Sequence, residues 1–315
     1  MYDSYGREVN YLRLSVTDLC DLRCVYCMPE EGVEKRLHED MLRVEEMERI
    51  VRAAASLGIT KVRITGGEPL VRRGIEEIVR RVSAVPGIRE TCLTTNGQQL
   101  AEKAEALKAC GLDRVNVSLD ALNPALYEEL TRGGSLKYTL EGIRAAIACG
   151  LTPVKINCVV LNGVNDGEIE KIALLTQSAH IHVRFLELMP IGESADWQAD
   201  RQLKAEHVFR RIGRMNYEGE TGNAQVWRID GYPGTVSLIR PLSRSFCARC
   251  NRIRVTPDGF LKSCLHAAAE IPLRGLSDAQ LIEAIKQGIA GKPRRHRLAE
   301  DGCSACSRRM VAIGG

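Results

Sequence analysis

Two sets of cysteines hold the chemical promise of this 315-residue chain. The first is Cys20-Asp-Leu-Arg-Cys24-Val-Tyr-Cys27, three thiols within eight residues. Three thiolates can hold three irons of a 4Fe–4S cube and leave the fourth iron open to chelate a small molecule. The other readings are a zinc site short of one ligand or a redox thiol pair, but structural zinc wants four closed ligands and dithiol redox chemistry needs only two cysteines. The second set is Cys247-Ala-Arg-Cys250 and, thirteen residues on, Cys264. It is again a triple. A zinc ribbon completed by Cys303-Ser-Ala-Cys306 stands beside the cluster reading, although Cys264 would then be left over.

Further candidates lie between the two sets. Gly66-Gly67-Glu68-Pro69 follows a β-branched run. Paired glycines let backbone approach a ligand and Glu68 can accept from an ammonium group, whereas a Gly-Gly pair taken alone is an ordinary turn. Arg252 and Arg254, two apart on another such run, point the same way along a strand and can present two guanidinium forks to a triphosphate; as bare arginines they are a solvated pair. Cys92, Cys110, Cys149 and Cys158 are scattered among apolar residues and read as packing.

These residues need elements to hold them. Runs bounded by turns at Tyr11–Val16, Lys61–Thr65, Glu90–Thr95, Arg114–Leu119, Pro153–Val160 and Ile181–Leu188 predict six strands. Helical patterns fall between and after them, at about Val44–Leu57, Arg72–Ala84, Leu100–Cys110, Lys137–Cys149, Asp166–Gln177 and Leu203–Ile212. Ile75, Ile78, Val79 and Val82, for instance, share one helix face. Strict alternation of strand and helix implies parallel strands with right-handed crossovers, either an open doubly wound sheet or a barrel. In both, the loops leaving the carboxyl ends of the strands build the site, and the first cysteine set and the Gly-Gly pair follow the first and second strands. Beyond about residue 215 the rhythm breaks into short runs at Gln225–Ile229, Thr235–Ile239 and Arg252–Thr256, which predicts a second domain.

Composition narrows the partners. Met1 to Asn10 include Asp3, Arg7 and Glu8 and no apolar run. The expectation is a cytoplasmic protein without a membrane span, whose twelve cysteines serve metal or redox chemistry rather than disulfides. The net charge of +4 hides an asymmetry: from Arg240 onward 14 Lys/Arg face 6 Asp/Glu. That surplus suits a phosphate-bearing ligand. Only 4% of residues are aromatic, too few for a base-stacking platform, so no nucleic acid is expected.

The CxxxCxxC spacing with Tyr26 before its last cysteine, together with Gly66-Gly67-Glu68-Pro69 after the second strand, resembles the radical S-adenosylmethionine (SAM) superfamily. The resemblance implies an α/β fold, a partial (β/α)6 barrel over residues 1–215 with a smaller C-terminal iron–sulfur domain over 216–315. It implies that the open iron of the Cys20/Cys24/Cys27 cluster binds SAM, which one electron cleaves to a 5′-deoxyadenosyl radical, with SAM contacts at Tyr26, Gly67, Glu68, Ser118 and Met189. Cys250-Asn-Arg-Ile-Arg and Asp258-Gly-Phe-Leu-Lys-Ser-Cys-Leu are similar to the GTP 3′,8-cyclase (MoaA) family, which opens molybdenum-cofactor synthesis, and the likeness runs from Tyr11 to Gly315.

This narrower resemblance implies an auxiliary 4Fe–4S cluster on Cys247, Cys250 and Cys264, contacting the guanine of GTP. It implies GTP contacts at Arg13, Arg63, Thr94, Lys155, Arg252, Ile253 and Arg254, less directly at Lys61 and Arg184, and a terminal Gly314-Gly315 reaching into the active site. Cations at interior strand positions are otherwise costly to bury, which fits an anionic ligand. The implied partners are GTP, a reductant such as a flavodoxin or ferredoxin, a downstream cyclic pyranopterin monophosphate synthase (MoaC) and a second copy of the chain. Cys303 and Cys306 fall outside the family pattern.

Overall fold

The computed structural model describes residues 1–33, 38–195, 197, 201, 204–298 and 304–314. Six strands appear where the runs predict them: β1 (Tyr11–Ser15), β2 (Lys61–Thr65), β3 (Glu90–Thr95), β4 (Arg114–Ser118), β5 (Val154–Val160) and β6 (Ile181–Glu187). Six further strands follow: β7 (Met215–Thr221), β8 (Ala224–Ile229), β9 (Val236–Ile239), β10 (Arg252–Val255), β11 (Phe260–Lys262) and β12 (Ile271–Pro272). All twelve form one sheet in the order β12-β11-β10-β1-β2-β3-β4-β5-β6-β9-β8-β7. The eight central strands, from β10 through β9, are mutually parallel. The order never closes on itself, as a partial barrel requires. Strands from the last hundred residues add to both edges: β10 pairs with β1 and β9 with β6.

The helices are α1 (Val44–Ser56), α2 (Ile75–Ser83), α3 (Leu100–Ala109), α4 (Pro124–Thr131), α5 (Leu136–Ala148), α6 (Ile169–Leu174), α7 (Ala205–Ile212) and α8 (Asp278–Ala290). The strand before each feeds its apolar outer face beneath them, so Leu12, Leu14, Val62, Ile64, Val115, Val117, Ile156 and Val183 are fully buried. The segment expected as one helix over Asp166–Gln177 is α6 between two 3₁₀ turns, Asp166–Glu168 and Leu175–Gln177. Pro153 stands outside β5 because it has no N–H to give the ladder. The helix expected from Leu203 begins at Ala205; Leu203 lies outside the described residues. Among the described residues no helix is long and apolar enough to cross a membrane.

Two helices were not predicted. In α8, Ser277 Oγ accepts from Gln280 N while Gln280 Oε1 accepts from Ser277 N, a reciprocal cap. In α4, Asn123 Oδ1 accepts from Leu126 N and Pro124 occupies the first turn. The far end of α4 does more. Its last carbonyls have no partner within the helix, and the backbone N–H groups of Arg23 and Val25 donate to Thr131 and Leu130 at 3.1 and 3.0 Å. Arg132 then closes the helix in a left-handed conformation and its guanidinium donates to the Met28 carbonyl at 3.0 Å. The first cysteine loop is thereby moored to a helix end.

The opposite end of α4 is held by Glu168, whose Oε2 accepts from Leu122 N and Asn123 N at 2.7 and 2.8 Å. Glu168→Ala leaves two partly buried N–H groups without their acceptor and should lower unfolding free energy by about 1 kcal/mol. The check is urea denaturation of the apo-protein under reducing conditions: a lower midpoint at unchanged slope is expected, with Glu168→Gln intermediate. An Ala variant as stable as the parent contradicts the capping role.

Candidate active site

Strand alternation divides the sheet into an apolar outer face and a polar inner one. On the inner face Arg13, Arg63, Arg114, Lys155, Arg184 and Arg254 all project into one cavity of about 480 Å³. Register sets several of them side by side, Arg254 beside Arg13 and Arg13 beside Arg63. Carboxylates are scarcer. Glu90 receives Lys61 at 2.5 Å and Arg114 at 2.6 Å. Arg63 donates to the Tyr11 hydroxyl and, at 3.1 Å, to Thr94 Oγ1.

Tyr11, absent from the sequence candidates, is the hub of this wall. Lys61, Arg63 and Arg252 pack their charges 5.2, 5.7 and 5.8 Å from its ring centre. The accumulated like charge shows in the titration of its members. Burial, then Arg184 and Arg114, bring Lys155 down to about 7. Burial and then Arg63 bring Arg184 down to about 9. An interior that disfavours its own cations is one that favours an arriving polyanion.

Both cysteine sets line this cavity. Cys20, Cys24 and Cys27 lie in the loop beyond the carboxyl end of β1. Cys250 instead precedes Arg252, which pairs with Tyr11 at the start of β1, and β11 runs back antiparallel to bring Cys264 to the same level. The two sets therefore sit at opposite ends of the parallel strands, about 15 Å apart for five residues at strand rise. Among the described residues no three Cys, His, Asp or Glu groups gather closely enough to hold a single metal ion.

The donor chemistry fits clusters at both ends. Burial pushes the Cys20 thiol up to about 12, opposed by the hydrogen bond from Leu22 N at 3.4 Å. Burial and the neighbouring Asp120 push Cys27 up to about 12, and burial and Cys27 hold Cys24 well above its ordinary value. Such thiols become thiolates only when a cation replaces the proton, as iron does. At the other end burial would raise Cys247, but the neighbouring His296 brings it down to about 7.

The Gly-Gly pair works as a close approach. Gly67 N donates to Thr17 O and Glu68 N to Leu19 O, each at 2.8 Å, so the β2 loop lies directly on the loop leading to Cys20. A Cβ on Gly67 would collide with the Leu19 carbonyl. Glu68 is first of all a strut: its carboxylate accepts from Leu70 N, Thr95 Oγ1 and Asn96 N at 2.9, 2.7 and 2.6 Å. Burial nonetheless lifts it to about 7. Three of its roughly four acceptor positions are used, leaving one for a ligand.

Tyr26, Ser118 and Met189 also line the cavity. Tyr26 donates to Asp120 Oδ2 at 2.6 Å, and Asp120, lifted by burial to about 6, accepts from Val159 N as well. Asp120 was missed by sequence reasoning, although it stands two residues past Ser118 at a strand's carboxyl end; Arg114 and Asn116 were missed too, and they precede Ser118 at alternate positions of the same inward face. Ile253 departs from its neighbours: alternation turns its side chain into the apolar core, fully buried, leaving only its backbone beside Arg252 and Arg254.

The tail enters the barrel. Ile313 is fully buried in a small cluster with Ile191, Leu265 and Cys306, against which Met189 packs. Gly314 has φ +79°, and a Cβ there would lie 2.8 Å from Ser15 Cβ and 2.9 Å from Thr65 Cγ2. Its carbonyl accepts from Arg254 at 2.9 Å. Gly315 and Cys303 lie outside the described residues.

Lys155 gives a measurable sign. At a pH between about 7 and its ordinary 10.5 the empty protein leaves this lysine neutral, and an anion beside it restores the proton. Inorganic triphosphate binding at pH 8.5 should therefore take up protons, read by calorimetry in two buffers of different ionisation enthalpy. The uptake should vanish at pH 6 and fall sharply in Lys155→Met, Arg184 supplying the remainder; buffer-independent heats at pH 8.5 in the parent protein contradict it.

Comparison with known proteins agrees with this geometry. Residues 14–176 match the radical SAM superfamily model and residues 181–298 the model described as Molybdenum Cofactor Synthesis C. The chain is 48% identical, over the whole of both chains, to the GTP 3′,8-cyclase of Alkaliphilus metalliredigens (strain QYMF) and to that of Pelotomaculum thermopropionicum (strain DSM 13744 / JCM 10971 / SI). Among solved structures, Streptococcus suis SuiB bound to S-adenosylmethionine superposes with a TM-score of 0.62 at 15% identity, over 97% of this chain and 70% of that one, a likeness of fold. The chain belongs to the GTP 3′,8-cyclase family of the radical SAM superfamily.

Proposed function

We propose that this chain converts GTP to (8S)-3′,8-cyclo-7,8-dihydroguanosine 5′-triphosphate, the first step of molybdenum-cofactor biosynthesis. One observation carries the reading: two three-cysteine sets face each other along the strands of one cavity whose wall between them is cationic. With SAM bound and one electron from a reductant, a 4Fe–4S cluster on Cys20, Cys24 and Cys27 would supply the reductive SAM cleavage that starts hydrogen removal from the ribose C3′ and joining of that carbon to guanine C8, while a second cluster would bind the guanine.

The protein's own part is placement and exclusion. Cys20, Cys24 and Cys27 hold one cluster, with Gly67 admitting SAM closely and Tyr26, Glu68, Ser118 and Met189 seating it. Cys247, Cys250 and Cys264 hold the other at the guanine end. Arg13, Arg63, Thr94, Lys155, Arg252 and Arg254 receive the triphosphate, with Lys61 and Arg184 adding charge. Tyr26, fixed by Asp120, and the Gly314-Gly315 tail close the space around the reacting ribose and keep solvent and oxygen away from the radical. In this reading the chain divides near residue 215, the later part supplying the auxiliary cluster and the barrel's two outer edges. The protein works in the cytoplasm with a flavodoxin- or ferredoxin-class reductant, acts as paired copies and hands its product to a cyclic pyranopterin monophosphate synthase.

Anaerobic reconstitution with iron and sulfide, followed by SAM, dithionite and GTP, ATP or no nucleotide, tests the proposal. GTP-dependent 5′-deoxyadenosine and a cyclised GTP product are expected. Cys264→Ser should keep SAM cleavage capacity, lose about half its iron and make no cyclised product. SAM cleavage indifferent to GTP overturns the substrate, and unchanged iron in Cys264→Ser overturns the second cluster's ligand set.

A further inference from the structure

Just past α8 a lysine is buried beside the second cysteine set. Lys292 is 3% exposed, and its backbone N–H donates to Ile289 O at the helix end. Its ammonium donates to the Arg252 carbonyl at 2.6 Å, the Ser263 carbonyl at 2.8 Å and Cys250 Sγ at 3.7 Å. An ammonium has three protons to give, and these three acceptors take them all. The acceptors come from two segments: Arg252 opens β10 and Cys250 lies two residues before it, whereas Ser263 immediately precedes Cys264. One side chain thus ties together the turn that carries the CxxC pair, with the strand that follows it, and the loop that carries the third cysteine.

Two of the three acceptors are neutral carbonyls, and a buried ammonium needs opposite charge. The sulfur supplies it once it is a thiolate. We infer that Lys292 is a positioning residue for the auxiliary cluster, fixing the separation of Cys250 from Cys264 and compensating the charge on the Cys250 sulfur. The inference rests on the reading that Cys247, Cys250 and Cys264 hold that cluster. A fixed cation and a hydrogen bond at a ligating sulfur favour the more reduced, more negative state, so they raise a cluster's reduction potential. Removing the charge should move the potential down.

The test uses the reconstituted full-length protein and three variants, Lys292→Gln, Lys292→Arg and Cys250→Ala. Iron per chain is measured first, then the midpoint of the cluster whose electron paramagnetic resonance signal SAM does not perturb. Lys292→Gln, which keeps hydrogen-bond donors but no charge, should retain iron and shift that midpoint to more negative values; Lys292→Arg should restore most of the shift. If Lys292→Gln instead loses about half the iron while Lys292→Arg keeps it, the positioning role stands and the charge is needed for assembly. A Lys292→Gln protein with parental iron and midpoint overturns the inference, as does an equal shift in both variants. Cys250→Ala separates the underlying reading: full iron in that variant means the cysteine set holds no cluster, whatever Lys292 does.

Discussion

The constraint on which the rest of this structure depends is the concentration of positive charge inside its barrel. Cations on β1, β2, β4, β5, β6 and β10 converge on one cavity, and few carboxylates meet them. Like charges packed in a poorly solvated space repel, so the fold must hold them by other means. It does so with the outer face, where valine, isoleucine and leucine of the same strands are fully buried under the helices. The inner face is then free to be functional, because the outer one carries the stability. Small neutral partners, the Tyr11 ring and hydroxyl, Thr94 and the Gly314 carbonyl, hold individual guanidinium groups in place without neutralising them.

Around that charged wall the chain arranges its thiols at the two ends of the strands. The first set is fixed twice, by the close approach of Gly67 to the loop before Cys20 and by the mooring of residues 23–28 on the end of α4. Neither contact involves a cysteine. The second set is fixed by strand pairing, since β10 continues the parallel sheet beyond β1 and β11 turns back beside it. Backbone geometry therefore sets the distance between the two cysteine sets, and Asp120 and Lys292 each hold a side chain in place at one of them.

The tail closes the same space from the other side. Arg308 binds Asp258 at 2.8 Å and Glu270 at 2.6 Å, both in the segment around β11, and six residues later Gly314 lies against Ser15 and Thr65. Glycine is required there on two counts, its positive φ and the absence of room for a Cβ. The tail's carbonyl meets Arg254, one of the cations of the inner wall.

What the sequence determined by itself was what is local. The six strands and their helices followed from periodicity, since a strand or an amphipathic helix is written in its own residues. The two cysteine triples and the Gly-Gly turn followed from spacing, because a chelating loop is also local. The caps of α4 and α8, Asn123-Pro124 and Ser277 with Gln280, were equally legible and were passed over. Tertiary structure alone decided the rest. That the last hundred residues flank the barrel on both edges depends on pairings between strands distant in sequence, Tyr11 with Arg252 on one edge and Val183 with Val236 on the other. Asp120, Tyr11 and Lys292 gain their roles only from neighbours distant in the chain, and Ile253 lost its side-chain role because alternation turned it outward. Chemistry that needs a residue type at a spacing is visible in a sequence; chemistry that needs two remote segments at a fixed distance exists only once the sheet has formed.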